Sequence, residues 1–125
     1  MKFLLDTHIW IWVLTDDPRL SRKARRELGG ADEWYYSAAS VWELAIKSSK
    51  EQFPIDLELL LYESEQSDLS PLAITPAHAF RVQTLPDLHS DPFDRLLVAQ
   101  ALSEPLILIT ADKTLGRYSK QVRVV

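Results

Sequence analysis

Two carboxylates three residues apart, Asp91 and Asp94, head an apolar stretch, SDPFDRLLVAQAL. Asp91 followed by Pro92 reads as a helix N-cap and first helical residue, which leaves Asp94 in the first turn, where free N–H groups favour negative charge. By itself that is a well-made helix start. Three more acids shift the question toward chemistry: Asp6 closes the apolar run FLL, Glu43 lies in SAASVWELAIK, and Asp112 follows LILITA. Two carboxylates about 4 Å apart repel by roughly 4 kcal/mol at an effective dielectric near 20, so Asp6, Glu43, Asp94 and Asp112 brought together need protons or cations. The chain has no cysteine, and its histidines, His8, His78 and His89, form no cluster in sequence. A site made of carboxylate oxygens suits Mg²⁺ or Mn²⁺, which keep water and substrate phosphate in their shell and support phosphodiester cleavage.

The elements that must position these acids follow from pattern. Lys2 to Leu5 reads as a short buried strand, after which Thr7 caps a helix with Ile9, Trp12 and Val13 at helical spacing. Ser21 to Leu28 is a short basic helix stopped by Gly29-Gly30. Its charges suit a solvated face, with contact to phosphate or an acidic partner as the other reading. Trp34-Tyr35-Tyr36 is a second strand, and Ser37 caps a helix to about Ser49 that puts Ser40, Glu43 and Lys47 on one face. Asp56 caps a helix to about Gln66. Pro71 to Ile74 reads as a third strand, and Thr75-Pro76 opens a helix to about Thr84 with His78 at a surface position. Leu85 to Ser90 is a loop carrying His89, which has no assigned role. Leu106 to Ile109 is the clearest strand, fully apolar as a buried parallel strand should be, and Val122 to Val125 is an edge strand.

Strands alternating with helices indicate an α/β fold with a mainly parallel central sheet and helices on both faces. Ligands in such folds bind beyond the carboxyl ends of the strands. Asp6 and Asp112 follow strands directly, and Glu43 lies early in a helix that leaves a strand. Asp94 opens a helix that returns to one, so a right-handed crossover places all four acids on the same rim.

Length and charge bound the rest. The 125 residues fit one domain, 1–125, able to bury a core without crosslinks. A net charge of −4 argues against a protein that coats nucleic acid non-specifically but leaves room for a nuclease. The apolar N-terminus is interrupted by Asp6 and His8, too short a run for a signal core or membrane span, which points to a soluble, cytoplasmic protein.

FLLDTHIWIW, SAASVWELAIK, HSDPFDRLLVAQA and LITADKTL, in this order and spacing, resemble the four acidic motifs of PIN-domain ribonucleases, in particular VapC-like toxins of toxin-antitoxin modules. The resemblance covers nearly the whole chain. It implies a three-layer fold with about five parallel strands, Mg²⁺- or Mn²⁺-dependent cleavage of RNA, a homodimer, and an antitoxin inserted in the active-site groove. Carried over residue by residue, it makes Asp6, Glu43, Asp94 and Asp112 the metal-binding and catalytic acids. Thr110 becomes an outer hydroxyl, and Asp91 an outer residue or a cap. The segment KSSKEQFP departs from the glycine-containing turn that relatives tend to carry. Two rivals stand beside this reading. One is a phosphoryl-receiver switch, which needs an acidic pair directly after the first strand, where only Asp6 stands. The other is a PIN fold that binds RNA or a partner without cutting it.

Overall fold

The computed structural model describes residues 1–49 and 54–125. Half of KSSKEQFP, residues 50–53, lies outside the described residues. The elements in chain order are β1 (Lys2–Leu5), α1 (Thr7–Thr15), α2 (Arg22–Leu28), β2 (Glu33–Ser37), α3 (Ala38–Ser49), α4 (Leu57–Gln66), β3 (Leu69–Leu72), α5 (Pro76–Arg81), α6 (Pro92–Ser103), β4 (Ile107–Thr110) and β5 (Val122–Val124). A single 3-10 turn, Val82–Thr84, extends α5, and another, Leu115–Arg117, precedes β5.

The strands form one parallel sheet in the order β3-β2-β1-β4-β5, with β1 between Tyr36 and Ile109 at Leu5. Strand period two splits the apolar residues between two faces. Phe3, Leu5 and Ile109 face a core completed by Trp10 of α1, Ala24 of α2 and Leu60 of α4. Leu4 and Leu108 face the other, completed by Leu97, Val98 and Ala101 of α6. Trp10 fills the first core: it stacks on Tyr36 at 4.8 Å, and its indole N–H reaches Ser64 Oγ at 2.9 Å. The sheet therefore forms the middle of three layers, as an α/β fold requires. Its order differs from the 2-1-3-4-5 order of flavodoxin-like receivers, which removes the phosphoryl-receiver rival. Among the described residues no helix is long and apolar enough to cross a membrane.

Three local expectations change. The cap of α1 is Asp6, whose carboxylate accepts the Ile9 N–H at 2.9 Å; Thr7 is the first helical residue and its hydroxyl is used elsewhere. The third strand is Leu69–Leu72, not Pro71 to Ile74. It pairs only with β2, so Pro71, which lacks an N–H, is tolerated at this edge. His78 is 2% exposed rather than on the surface. Its Nδ1 closes a capping box with Thr75 while its ring reaches into α6, a use that helical position alone does not report.

The basic run also resolves in part. Arg19 pairs with Asp17 and Arg25 with Asp16, fastening the turn into α2, while Arg22, Lys23 and Arg26 stay exposed.

Candidate active site

The site forms where strand order reverses direction, between the adjacent carboxyl ends of β1 and β4, the crevice at which open α/β sheets hold ligands. Asp6 is there because β1 ends at Leu5, and its N–H bonds the Ile109 carbonyl at 3.0 Å. Only 6% of Asp6 is exposed. One carboxylate oxygen accepts the Ile9 N–H; the other accepts the hydroxyl of Thr110, itself fully buried at the end of β4. Thr110 Oγ1 also accepts the Asp112 N–H at 3.0 Å. One hydroxyl thus ties the acid after β1 to the acid after β4. Asp112 Oδ1 in turn accepts the Thr114 N–H at 2.9 Å, which turns the chain at the rim.

Glu43 reaches the same rim from α3 and is almost wholly buried. Its Oε1 lies 2.7 Å from Thr7 Oγ1, and Ser40 Oγ lies 2.8 Å from that oxygen. Thr7 has one hydroxyl proton, which goes to the carboxylate and leaves Ser40 to donate to Thr7. Glu43 Oε2 accepts from Lys47 at 2.6 Å. That bond holds the Lys47 ammonium above its ordinary range, helped by the charges of Asp91 and Asp94. Lys47 is the built-in partial counter-charge of the cluster.

On α6, Asp91 is the N-cap: its Oδ1 accepts the N–H groups of Phe93 at 2.8 Å and Asp94 at 3.0 Å. Asp94 turns toward the other acids. Burial, then the charges of Asp91, Glu43 and Asp6, push its carboxyl from 3.8 up to about 7, against a smaller lowering by His89. Asp6 is also raised, first by burial, with Glu43 adding to it and the Thr110 and Ile9 hydrogen bonds opposing. Asp6, Glu43 and Asp91 are thus near enough to Asp94 for their charges to act on it. Asp112 joins through His89, whose Nε2 lies 3.0 Å from Asp112 Oδ2 and 3.6 Å from Asp94 Oδ2. The sequence assigns His89 no role, its one signal being its place two residues before the helix cap. Thr7 and Ser40 carry no local signal of a part in the site either.

The donor set fits a hard divalent cation. Its acids offer carboxylate oxygens, and Asp94, raised first by burial and then by the charges of Asp91, Glu43 and Asp6, stands where a cation would favour its ionised form.

A family model for the PIN domain matches residues 3–121. Ribonuclease VapC22 of Mycobacterium tuberculosis is 32% identical over 114 residues, covering 90% of this chain and 88% of that relative. Among solved structures, VapBC2 from Rickettsia felis, bound to a DNA fragment from its promoter, aligns with a TM-score of 0.71 at 18% identity, over 100% of this chain and 98% of that one. DNA-bound VapBC from Salmonella typhimurium aligns at 0.68 and 22% identity, over 100% and 97%. At these identities the solved structures establish likeness of fold.

Proposed function

The chain belongs to the PIN-domain family, and from that premise we propose that it is a divalent-metal-dependent endoribonuclease, the toxin of a toxin-antitoxin pair. The observation that carries this reading is the meeting of acids at the junction of β1 and β4, where one hydroxyl, Thr110, ties buried Asp6 to the backbone of Asp112 and where His89 Nε2 lies 3.0 Å from Asp112 and 3.6 Å from Asp94. Asp6, Glu43, Asp94 and Asp112 would hold the cation. When bound, Mg²⁺ or Mn²⁺ polarises the scissile phosphodiester and lowers the pKa of the attacking water.

The chain's own residues orient the parts. Thr110 fixes Asp6 against Asp112, and Thr7 and Lys47 hold the two oxygens of Glu43, so the acids cannot turn away from one another. Asp91 serves as cap and keeps Asp94 aimed at the rim. Trp42, 56% exposed, meets Phe93 edge to face at 4.8 Å, and these two residues directly precede Glu43 and Asp94. They offer an unpaired base a flat face beside the acids, so the substrate is a single-stranded or looped RNA. Two partners complete the reading. One is an antitoxin that inserts into the groove at the acids, and the other a second copy of the chain, which forms a homodimer.

The test is incubation of total RNA with the wild-type chain and with Asp6→Asn, in Mg²⁺, in Mn²⁺ and in chelator, with cut ends sequenced. Discrete cuts that need both metal and Asp6 are expected. RNA binding without cuts would instead support the non-cutting PIN module. Expression of the chain alone should arrest growth and a small co-encoded protein should relieve it; harmless high-level expression would sink the toxin assignment.

A further inference from the structure

His89, Asp94 and Asp112 offer ligand atoms all within 4.8 Å of one another, which at first sight makes the histidine a metal ligand. The far side of the ring decides otherwise. Nδ1 accepts the backbone N–H of Asp91 at 3.0 Å. An accepting ring nitrogen carries no hydrogen, so the proton of the neutral imidazole sits on Nε2. Nε2 is the atom that faces Asp112 and Asp94, and a nitrogen bearing a proton has no lone pair for a cation. It is a donor to Asp112.

The ring is also held in place. The His89 N–H donates to Tyr118 Oη at 3.0 Å, and Arg95 donates to the same oxygen at 3.2 Å and to the Pro86 carbonyl at 3.0 Å. Arg95 further reaches the Val82 carbonyl at 3.2 Å, so the loop before α6 is fastened at both ends. The backbone of Asp91 fixes the ring while its side chain fixes the backbone of Asp94. His89, Asp91 and Asp94 therefore move as one unit.

Resting on the divalent-cation reading of the site, we propose that His89 is a positioning residue. Its Nε2–H donates to Asp112 Oδ2 and stands 3.6 Å from Asp94 Oδ2, so from outside the cation's shell the ring fixes Asp112 relative to Asp94, two carboxylates that would otherwise push apart. Outer partners of this kind orient ligands, and their loss weakens metal binding by about 10- to 100-fold.

The experiment is calorimetric titration of the wild-type chain, His89→Ala and His89→Gln with Mn²⁺, joined to pulsed electron paramagnetic resonance of the Mn²⁺-loaded wild type. His89→Ala should weaken Mn²⁺ binding within that range. His89→Gln, whose amide N–H can take over the donation, should restore most of it, and the resonance should contain no directly bound histidine nitrogen. Wild-type affinity in His89→Ala, equal losses in both variants, or a direct nitrogen coupling would each overturn the proposal. Should His89→Ala fail to fold, His89→Gln and the nitrogen signature decide. Failure of the wild type itself to bind Mn²⁺ is a separate result, which removes the cation reading and this inference with it.

Discussion

Helix α6 carries two polar clusters that resemble each other in burial and differ in charge. At its start Asp94 joins Asp6 and Glu43; within it, fully buried Gln100 joins Ser37 and His78. Each cluster includes a histidine whose Nδ1 accepts a backbone N–H and whose Nε2 faces a carboxylate. His89 faces Asp112, and His78 faces Glu104 at 2.5 Å. In the inner cluster the groups complement one another. Gln100 Oε1 accepts from Ser37 at 2.5 Å, its amide nitrogen lies 3.3 Å from His78 Nδ1, and the one acid, Glu104, lies at the solvent end. At the rim, burial and then the like charges of Asp91, Glu43 and Asp6 raise Asp94 to about 7. Burial of polar groups marks architecture when each donor has its acceptor, and marks a working site when one sign of charge is left in excess.

The sharpest way to break this comparison is to neutralise one member of each cluster. Asp94→Asn should lower RNA cleavage more than about 100-fold, beyond the range for losing an outer partner, while leaving metal-free stability unchanged or slightly raised. Gln100→Leu should leave the cleavage rate of the folded protein nearly unchanged. Similar activity losses in both would erase the distinction.

Next in size is the pH dependence of stability in chelator. The Asp94 carboxyl binds its proton more readily folded than unfolded, so stability falls as pH rises from 3.8 to about 7 and stays low above that. The Asp94 contribution is no more than about 4 kcal/mol. Raised Asp6 acts with the same sign. Denaturation midpoints across this range should show the fall, Mn²⁺ should flatten it and Asp94→Asn should reduce it. A rise with pH in chelator would contradict the charge excess.

The inner cluster should respond in stability alone. Gln100→Leu strands the Ser37 hydroxyl and a face of His78, at a cost of about 1–3 kcal/mol measurable by urea unfolding. The smallest effect separates the two acids of α6. Asp91→Ala should lose about 1 kcal/mol as an emptied cap, and Asp91→Asn less, with most cleavage retained. Inactive but folded Asp91→Asn would move Asp91 from cap to metal site.

Much of this molecule was legible in order along the chain because the signals are local. Asp91-Pro92, Asp56 and Thr75-Pro76 cap the helices expected of them, since a cap involves only the next three residues. The shared rim was legible too: parallel strands joined by right-handed crossovers put every strand-end acid on one edge, whatever the strand order. Tertiary structure decided what depends on distant partners. It chose the order β3-β2-β1-β4-β5, which makes Asp6 and Asp112 neighbours through Thr110. The pairing of Leu69–Leu72 with β2 moved the third strand from the more apolar residues after it. His78 and His89 show the limit most directly. Each has a local hydrogen bond at Nδ1, but what Nε2 meets, Glu104 or Asp112, is set by residues more than twenty positions away, and a single ring in sequence carries no record of which carboxylate the fold will bring to it.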